Sequence, residues 1–324
     1  MRNAEWRVVE TDRSVEKGSA LDFSFLLDAP AGKYGRIKTT SDGHFEFEKR
    51  PGKRQRFYGA NLAFWANYLS REEAELIAER LARIGYNAIR LHHFDRDLIL
   101  KNAADSATID MKQLDKLEYL VFCLKKRGIY ITLDLFTARP IRKNEFKTLP
   151  GFQGDYKLAA MIHPEVADNL KKFSAALLNH VNPYTGFAWK DDPVFIGLSL
   201  INENTILHNI RNASQDLKNL YDAKFREWCT ATNTTITEQN KNAEYRRFLL
   251  DVYQKSWEDR AAFVRKLGVK MPLTDQNYIT LPNAPLQRAQ YGYVHNPIFW
   301  DHPQFPGKAW SLPTQLNNCS VLAV

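Results

Sequence analysis

The chain has 324 residues, 44% hydrophobic and 25% charged, a composition ordinary for a soluble globular protein and sufficient for one large α/β domain or two small ones. Its 45 Lys+Arg against 37 Asp+Glu give a net charge of +8, but the basic side chains are scattered, so nucleic acid is not expected as a partner. No stretch approaches the apolar length of a membrane span, and the start Met1-Arg2-Asn3-Ala4-Glu5-Trp6 is polar and lacks a secretory hydrophobic region.

Residues 1–55 read as a separate segment. The turn residues Thr40-Ser41-Asp42-Gly43 and the alternation Phe45-Glu46-Phe47 suggest a β-hairpin, expected as a small cap on the outside of the main domain spanning 56–324. The first core strand is expected at Arg56–Asn61. A helix follows, opened by Ser70 and Glu73 at capping-box spacing, with Ala74, Ile77, Leu81 and Ile84 on one face. Gly85 ends it and delivers the strand Tyr86–Leu91. The second helix carries Leu114, Leu117, Val121 and Leu124, stops at Gly128 and leads into Ile129–Asp134. The stretch Thr137–Lys157 is longer than a loop needs to be unless it is functional. Pro164, suited to a first helical turn, opens a third helix with Val166, Leu170, Phe173 and Leu177 inward. The apolar run Pro193–Ile201 then reads as a strand buried on both faces. Two helices near 214–230 and 240–267 precede Gly268 and the strand Val269–Thr274, and a sixth strand is expected at Gln290–His295.

Strands alternating with helices imply a parallel sheet, either open and doubly wound or closed as a (β/α)8 barrel. Gly59 stands alone and no Gly-x-Gly-x-x-Gly or Walker sequence occurs, which removes the main support for a dinucleotide fold and leaves the (β/α)8 TIM barrel. Cys123, Cys229 and Cys319 are far apart and lack metal-ligand spacing, so neither metal nor cofactor is expected. In a barrel, chemistry sits at the C-terminal strand tips. Those tips carry Asn61, Arg90 with His92 and His93, Asp134, Asn202 with Glu203, Asp275 with Asn277, and His295. Asn202-Glu203 has a plainer reading as a helix opening, and Arg90 one as a barrel-filling ion-pair partner.

Three stretches resemble glycoside hydrolase family 5, the cellulase-like enzymes of the (β/α)8-barrel clan. Arg56-Phe57-Tyr58-Gly59-Ala60-Asn61-Leu62 resembles that family's first strand, Ala88-Ile89-Arg90-Leu91-His92 its second, and Asp192-Pro193 through Asn202-Glu203 its fourth, with the Asn-Glu acid/base pair. The resemblance spans roughly residues 36 to 312. It implies retaining hydrolysis of β-linked glycosides, with Glu203 as general acid/base, Asn202 on the sugar 2-hydroxyl and Arg90 beside the nucleophile. It further implies a carbohydrate partner met by Asn61, Trp65, His92, His93, Asp134, His295 and Trp300, with Trp310 a further stacking candidate. The chain departs from the family at His295-Asn296-Pro297, where a His-x-Tyr is usual, and at Asp134-Leu135-Phe136, where a terminal histidine is common. The family's nucleophile is a glutamate ending strand seven, yet the last glutamate here is Glu258, inside a helix. Strands seven and eight, with that nucleophile, are therefore expected to be missing, as in a truncated product with six of eight strands. A non-catalytic carbohydrate-binding protein on a degenerate barrel is the alternative.

Overall fold

The computed structural model describes residues 14–142, 144–152, 154–277 and 287–295. A three-stranded antiparallel sheet comes first: β1 (Ile37–Thr39), β2 (Phe45–Phe47) and β3 (Arg50–Gln55). The core then alternates β4 (Gly59–Ala63), α1 (Arg71–Ile84), β5 (Ala88–His92), α2 (Met111–Lys126) and β6 (Tyr130–Asp134). It continues through the single turn α3 (Tyr156–Ala159), α4 (Pro164–Asn179), β7 (Phe195–Ser199), the short α5 (Ile206–Asn209), α6 (Gln215–Ala231), α7 (Lys241–Lys266) and β8 (Leu273–Thr274). The five strands β4 to β8 form one parallel sheet in strictly sequential order.

That order decides the architecture. Right-handed crossovers that always advance in one direction put every helix on the same face, whereas a doubly wound sheet must reverse at a switch point. The sheet is therefore the wall of a (β/α)8-type barrel. Its register sorts side chains by face: Leu62, Leu91, Leu133 and Leu198 lie level with one another, while Asn61, Arg90, Thr132 and Gly197 share the level below on the opposite face. The leucine level meets the helices, where Leu114, Leu117, Leu120 and Leu124 of α2 are fully buried. Each such leucine contributes about 1.5–3 kcal/mol. The other face carries the polar side chains of Asn61, Arg90 and Thr132.

The expected helix signals are realised. Ser70 and Glu73 form a reciprocal capping box on α1, Gly85 closes it in the left-handed conformation at φ 90°, and Pro164 opens α4. Three expectations are corrected. The N-terminal hairpin is a three-stranded sheet, and it covers the N-terminal end of the parallel strands: Phe47 stacks on Tyr130, the first residue of β6, at 4.9 Å, and Arg36 Nη2 donates to the Asp191 carbonyl just ahead of β7 at 2.8 Å. Strand limits shift, to Gly59–Ala63 for the first and Phe195–Ser199 for the fourth, because pairing ends where the partner strand ends. Gln290–His295 forms turns and bends, not a sixth strand, leaving five parallel strands among the described residues. There Tyr293 turns inward, and a Cβ on Gly197 would lie 2.7 Å from its hydroxyl, so a side chain at that point of β7 would displace the Tyr293 ring.

Helix α7 is tied to the strand tips by a buried charge pair. Arg260 Nη2 donates to Asp275 Oδ2 at 2.7 Å, with the two side chains 4% and 0% exposed. Tyr253 and the Asn204 amide donate to the same oxygen at 3.2 and 2.9 Å, while Oδ1 accepts from the Ile201 N–H at 2.9 Å. Removing one partner leaves the other charge buried and unmatched. Asp275→Ala is expected to cost about 3–5 kcal/mol of stability, and Asp275→Ala with Arg260→Met to recover part of that loss, measured by urea denaturation. Equal stability of Asp275→Ala and the parent chain would contradict the pairing.

Candidate active site

The polar face of the sheet converges on Arg90. Its Nε donates to Asp134 Oδ2 at 2.8 Å, and His92 Nδ1 meets the same oxygen at 2.7 Å. Asp134 is 1% exposed. Burial pushes its carboxyl up, but the His92 hydrogen bond and the Arg90 charge outweigh that and hold it below the usual carboxylate range. Asp134 is thus an ion-pair member with both neighbours committed.

Arg90 Nη2 also donates to Asn202 Oδ1 at 2.8 Å, and Asn277 Nδ2 donates to that oxygen at 2.8 Å. Two donors on Oδ1 fix which way the Asn202 amide faces. Its Nδ2 is buried and has no hydrogen-bond partner among the described residues. An unsatisfied buried donor costs about 1–3 kcal/mol, which an incoming acceptor relieves.

Glu203 follows in the left-handed region at φ 55°, unusual for a residue with a side chain. The neighbours impose it: the Glu203 N–H donates to Asn277 Oδ1 at 2.7 Å, and Asn209 Nδ2 donates to the Glu203 carbonyl at 2.7 Å. No hydrogen bond or ion pair to the Glu203 carboxylate occurs among the described residues, and the side chain is half-buried. Of the carboxylates at the described tips, Asp134 and Asp275 are paired with arginines, and that of Glu203 has no partner among the described residues.

The remaining expected residues fall at different distances from this centre. Asn61 lies beside Arg90 in register, exposed on the edge strand β4, and Trp65 follows on a 3-10 turn at 75% exposure. His93, in the left-handed region at φ 52°, stacks on Phe64 at 4.4 Å and lies 3.8 Å from His92 between ring centroids. His295 Nδ1 is 3.5 Å from Asn277 Nδ2. Trp300 and Trp310 lie outside the described residues. Trp189, away from the strand tips, is buried against Phe195 and donates to Glu118 at 2.8 Å.

Sequence reasoning placed Asn277 at a strand tip without a role, yet it joins Asn202 to Glu203. Its signal was the Asp-x-Asn spacing at the end of β8. The long loop after β6 is pinned by Asp95, which accepts from the N–H groups of Thr137, Ala138 and Arg139 at 2.7, 3.1 and 3.0 Å. Nothing in the sequence around Asp95 marks that contact.

Burial, then the nearby His92, pushes His93 down to about 4; burial, then Arg90, does the same to His295. A histidine depressed in the folded chain binds its proton first in the unfolded chain, at about 6.5. Stability from these histidines is therefore full above pH 6.5 and falls as pH drops toward 4. His93→Asn keeps a residue that tolerates the left-handed backbone and is expected to flatten that decline in denaturation curves taken from pH 7 to 4.5. An unchanged slope would contradict the depressed His93.

No protein-family model matches the chain, and no curated protein matches it in sequence. Solved structures do. An endo-1,4-beta-mannanase from Rhizomucor miehei is 14% identical, with 76% of this chain and 63% of that one covered and a TM-score of 0.49. A glycoside hydrolase family 5 mannosidase from Rhizomucor miehei is 19% identical over 52% of this chain and 49% of its own, with a TM-score of 0.40. A hyperthermostable endo-1,4-beta-D-mannanase from Thermotoga petrophila is 14% identical, covering 70% and 57%, with a TM-score of 0.44. The chain spans less than two thirds of the length of each of these structures, and the similarity is one of fold.

Proposed function

We propose that the chain acts on carbohydrate as a β-glycosidase of the retaining type, with Glu203 as general acid/base. The observation that carries this reading is the tip of β7: a free, half-buried carboxylate on a backbone held by Asn277 and Asn209, next to an Asn202 amide with an unspent buried donor. A glycosidic oxygen needs a proton as its bond breaks, and Glu203 supplies it and later takes one from water. Asn202 Nδ2 offers its hydrogen bond to a sugar hydroxyl, which satisfies the amide as the sugar binds. Arg90 holds Asn202 in that orientation and supplies positive charge beside the reacting sugar. Asn61, Trp65, His92, His93, Asp134, His295 and Trp300 complete the proposed contact surface, with the exposed Trp65 ring suited to a pyranose C–H face.

A retaining pathway also needs a carboxylate nucleophile. With Asp134 and Asp275 held by Arg90 and Arg260, the nucleophile in this reading comes from outside the described residues. The test uses a form of the chain that carries the nucleophile, with aryl β-glycosides of graded leaving-group ability. Glu203→Gln is expected to cut cleavage of poor leaving groups by about 10²–10⁴ while activated ones keep a fast first step. Equal loss on both contradicts the acid/base role. Sugar binding with no cleavage by the nucleophile-bearing form supports the alternative, a carbohydrate-binding protein on the same site.

A further inference from the structure

Helices α6 and α7 border a groove of about 1210 Å3 that the chemistry at the strand tips does not use. It lies at the same end of the sheet. Tyr253 and Arg260 bond Asp275 at the tip of β8, and Arg265 near the end of α7 reaches the Val269 and Met271 carbonyls ahead of that strand, so α7 descends from tips to base. The segment from Lys241 to Tyr253 therefore projects beyond the tips by roughly 18 Å at 1.5 Å per residue. Tyr221 of α6 donates to the Leu158 carbonyl in the segment following β6, which puts α6 on that side as well. Leu207 and Ile210, in the short helical stretch just after Glu203, line the near end of the groove.

The groove is strongly cationic. Arg211, Lys218, Arg226, Lys241 and Arg246 line it, against one acid, Asp222, which the Tyr245 hydroxyl already engages. The side chains of Arg211, Lys218, Arg226 and Lys241 make no ion pair or hydrogen bond among the described residues. Lys218 and Arg226 stand two turns apart on α6, about 12 Å along its axis. Such spacing suits charges repeated along a chain. The volume exceeds the roughly 300–1,000 Å3 of a pocket for one small molecule, which again favours an extended ligand.

The floor narrows the class. Phe225 and Tyr245 meet edge to face at 5.0 Å, Phe225 is buried and Tyr245 half-buried, so the groove offers little aromatic face for stacking successive nucleobases. Leu207 and Ile236 add small apolar surface, which suits sugar C–H groups, and the groove has no strand edge for an extended peptide to join. We propose that the groove is a subsite for an acidic glycan, a chain carrying carboxylate or sulfate groups along its length, whose neighbouring sugars occupy the Glu203 site. The proposal rests on the carbohydrate reading of that site.

The full chain is titrated calorimetrically with a β-linked oligomannuronate, its carboxyl-reduced neutral counterpart, poly-L-glutamate, and a single-stranded oligonucleotide of matched charge. The acidic sugar is expected to bind at least about tenfold more tightly than the neutral one. That advantage should vanish in Lys218→Glu/Arg226→Glu, whose exposed or half-exposed sites leave the fold intact by circular dichroism, and should shrink as ionic strength rises from about 0.01 to 1 M and the screening length falls from about 30 to 3 Å. Equal affinity for charged and neutral sugars, or an unchanged advantage in the double variant, overturns the groove alone. Poly-L-glutamate or the oligonucleotide binding as tightly as the acidic sugar overturns its assignment to a glycan. Binding of neither sugar overturns the groove together with the carbohydrate reading.

Discussion

A guanidinium inside a barrel wall needs partners for its charge, and the arrangement of the site follows from where Arg90 finds them. Desolvating that charge costs several kcal/mol unless ionic and polar groups surround it. Asp134 supplies the counter-charge and Asn202 supplies a carbonyl oxygen, each 2.8 Å away. The first contact holds Asp134 in an ion pair. The second turns the Asn202 amide so that Asn277 shares its oxygen and its nitrogen is left over. One strand-borne arginine thus binds groups on two other strand ends, and a third, Asn277, joins through Asn202.

The same economy of side chains governs the neighbouring tip. Asp275 accepts from Arg260, Tyr253, Asn204 and the Ile201 N–H, so a single buried carboxylate connects α7 to the segment entering Asn202 and Glu203. Glu203 holds a backbone conformation that costs of order 1–3 kcal/mol for a residue with a side chain, and the Asn277 and Asn209 amides on its N–H and carbonyl over-determine it. Amides fix the backbone while arginines occupy the aspartates. Among the described tip carboxylates, that of Glu203 is left unengaged.

Much of the scaffold was legible because its signals are local. Ser70 with Glu73, Gly85 and Pro164 mark helix ends through their own backbone and capping chemistry, and the alternation Ala88-Ile89-Arg90-Leu91-His92 already separates a helix-facing side from a polar one. The identities of Asn202, Glu203, Arg90 and Asp134 at strand tips came from the same local reading. The rest depends on partners far apart in the chain. Tyr291-Gly292-Tyr293 alternates like a strand, but Tyr293 is placed by the space above Gly197, nearly a hundred residues earlier. The N-terminal segment reads as a hairpin of unspecified position until Phe47 meets Tyr130. Asn277 acquires its role only through Asn202 and Glu203, and the Asp95 hold on the loop after β6 has no sequence signal at all.

The central claim is that Asn277 and Asp275, reaching across from β8, hold the segment that presents Glu203. Amide hydrogen exchange tests it directly. The Ile201 and Glu203 N–H groups, both bonded to side chains and not to a backbone ladder, should be protected in the parent chain. In Asn277→Ala the Glu203 amide should lose protection while Ile201 keeps it. Unchanged protection of Glu203 in that variant would contradict the account.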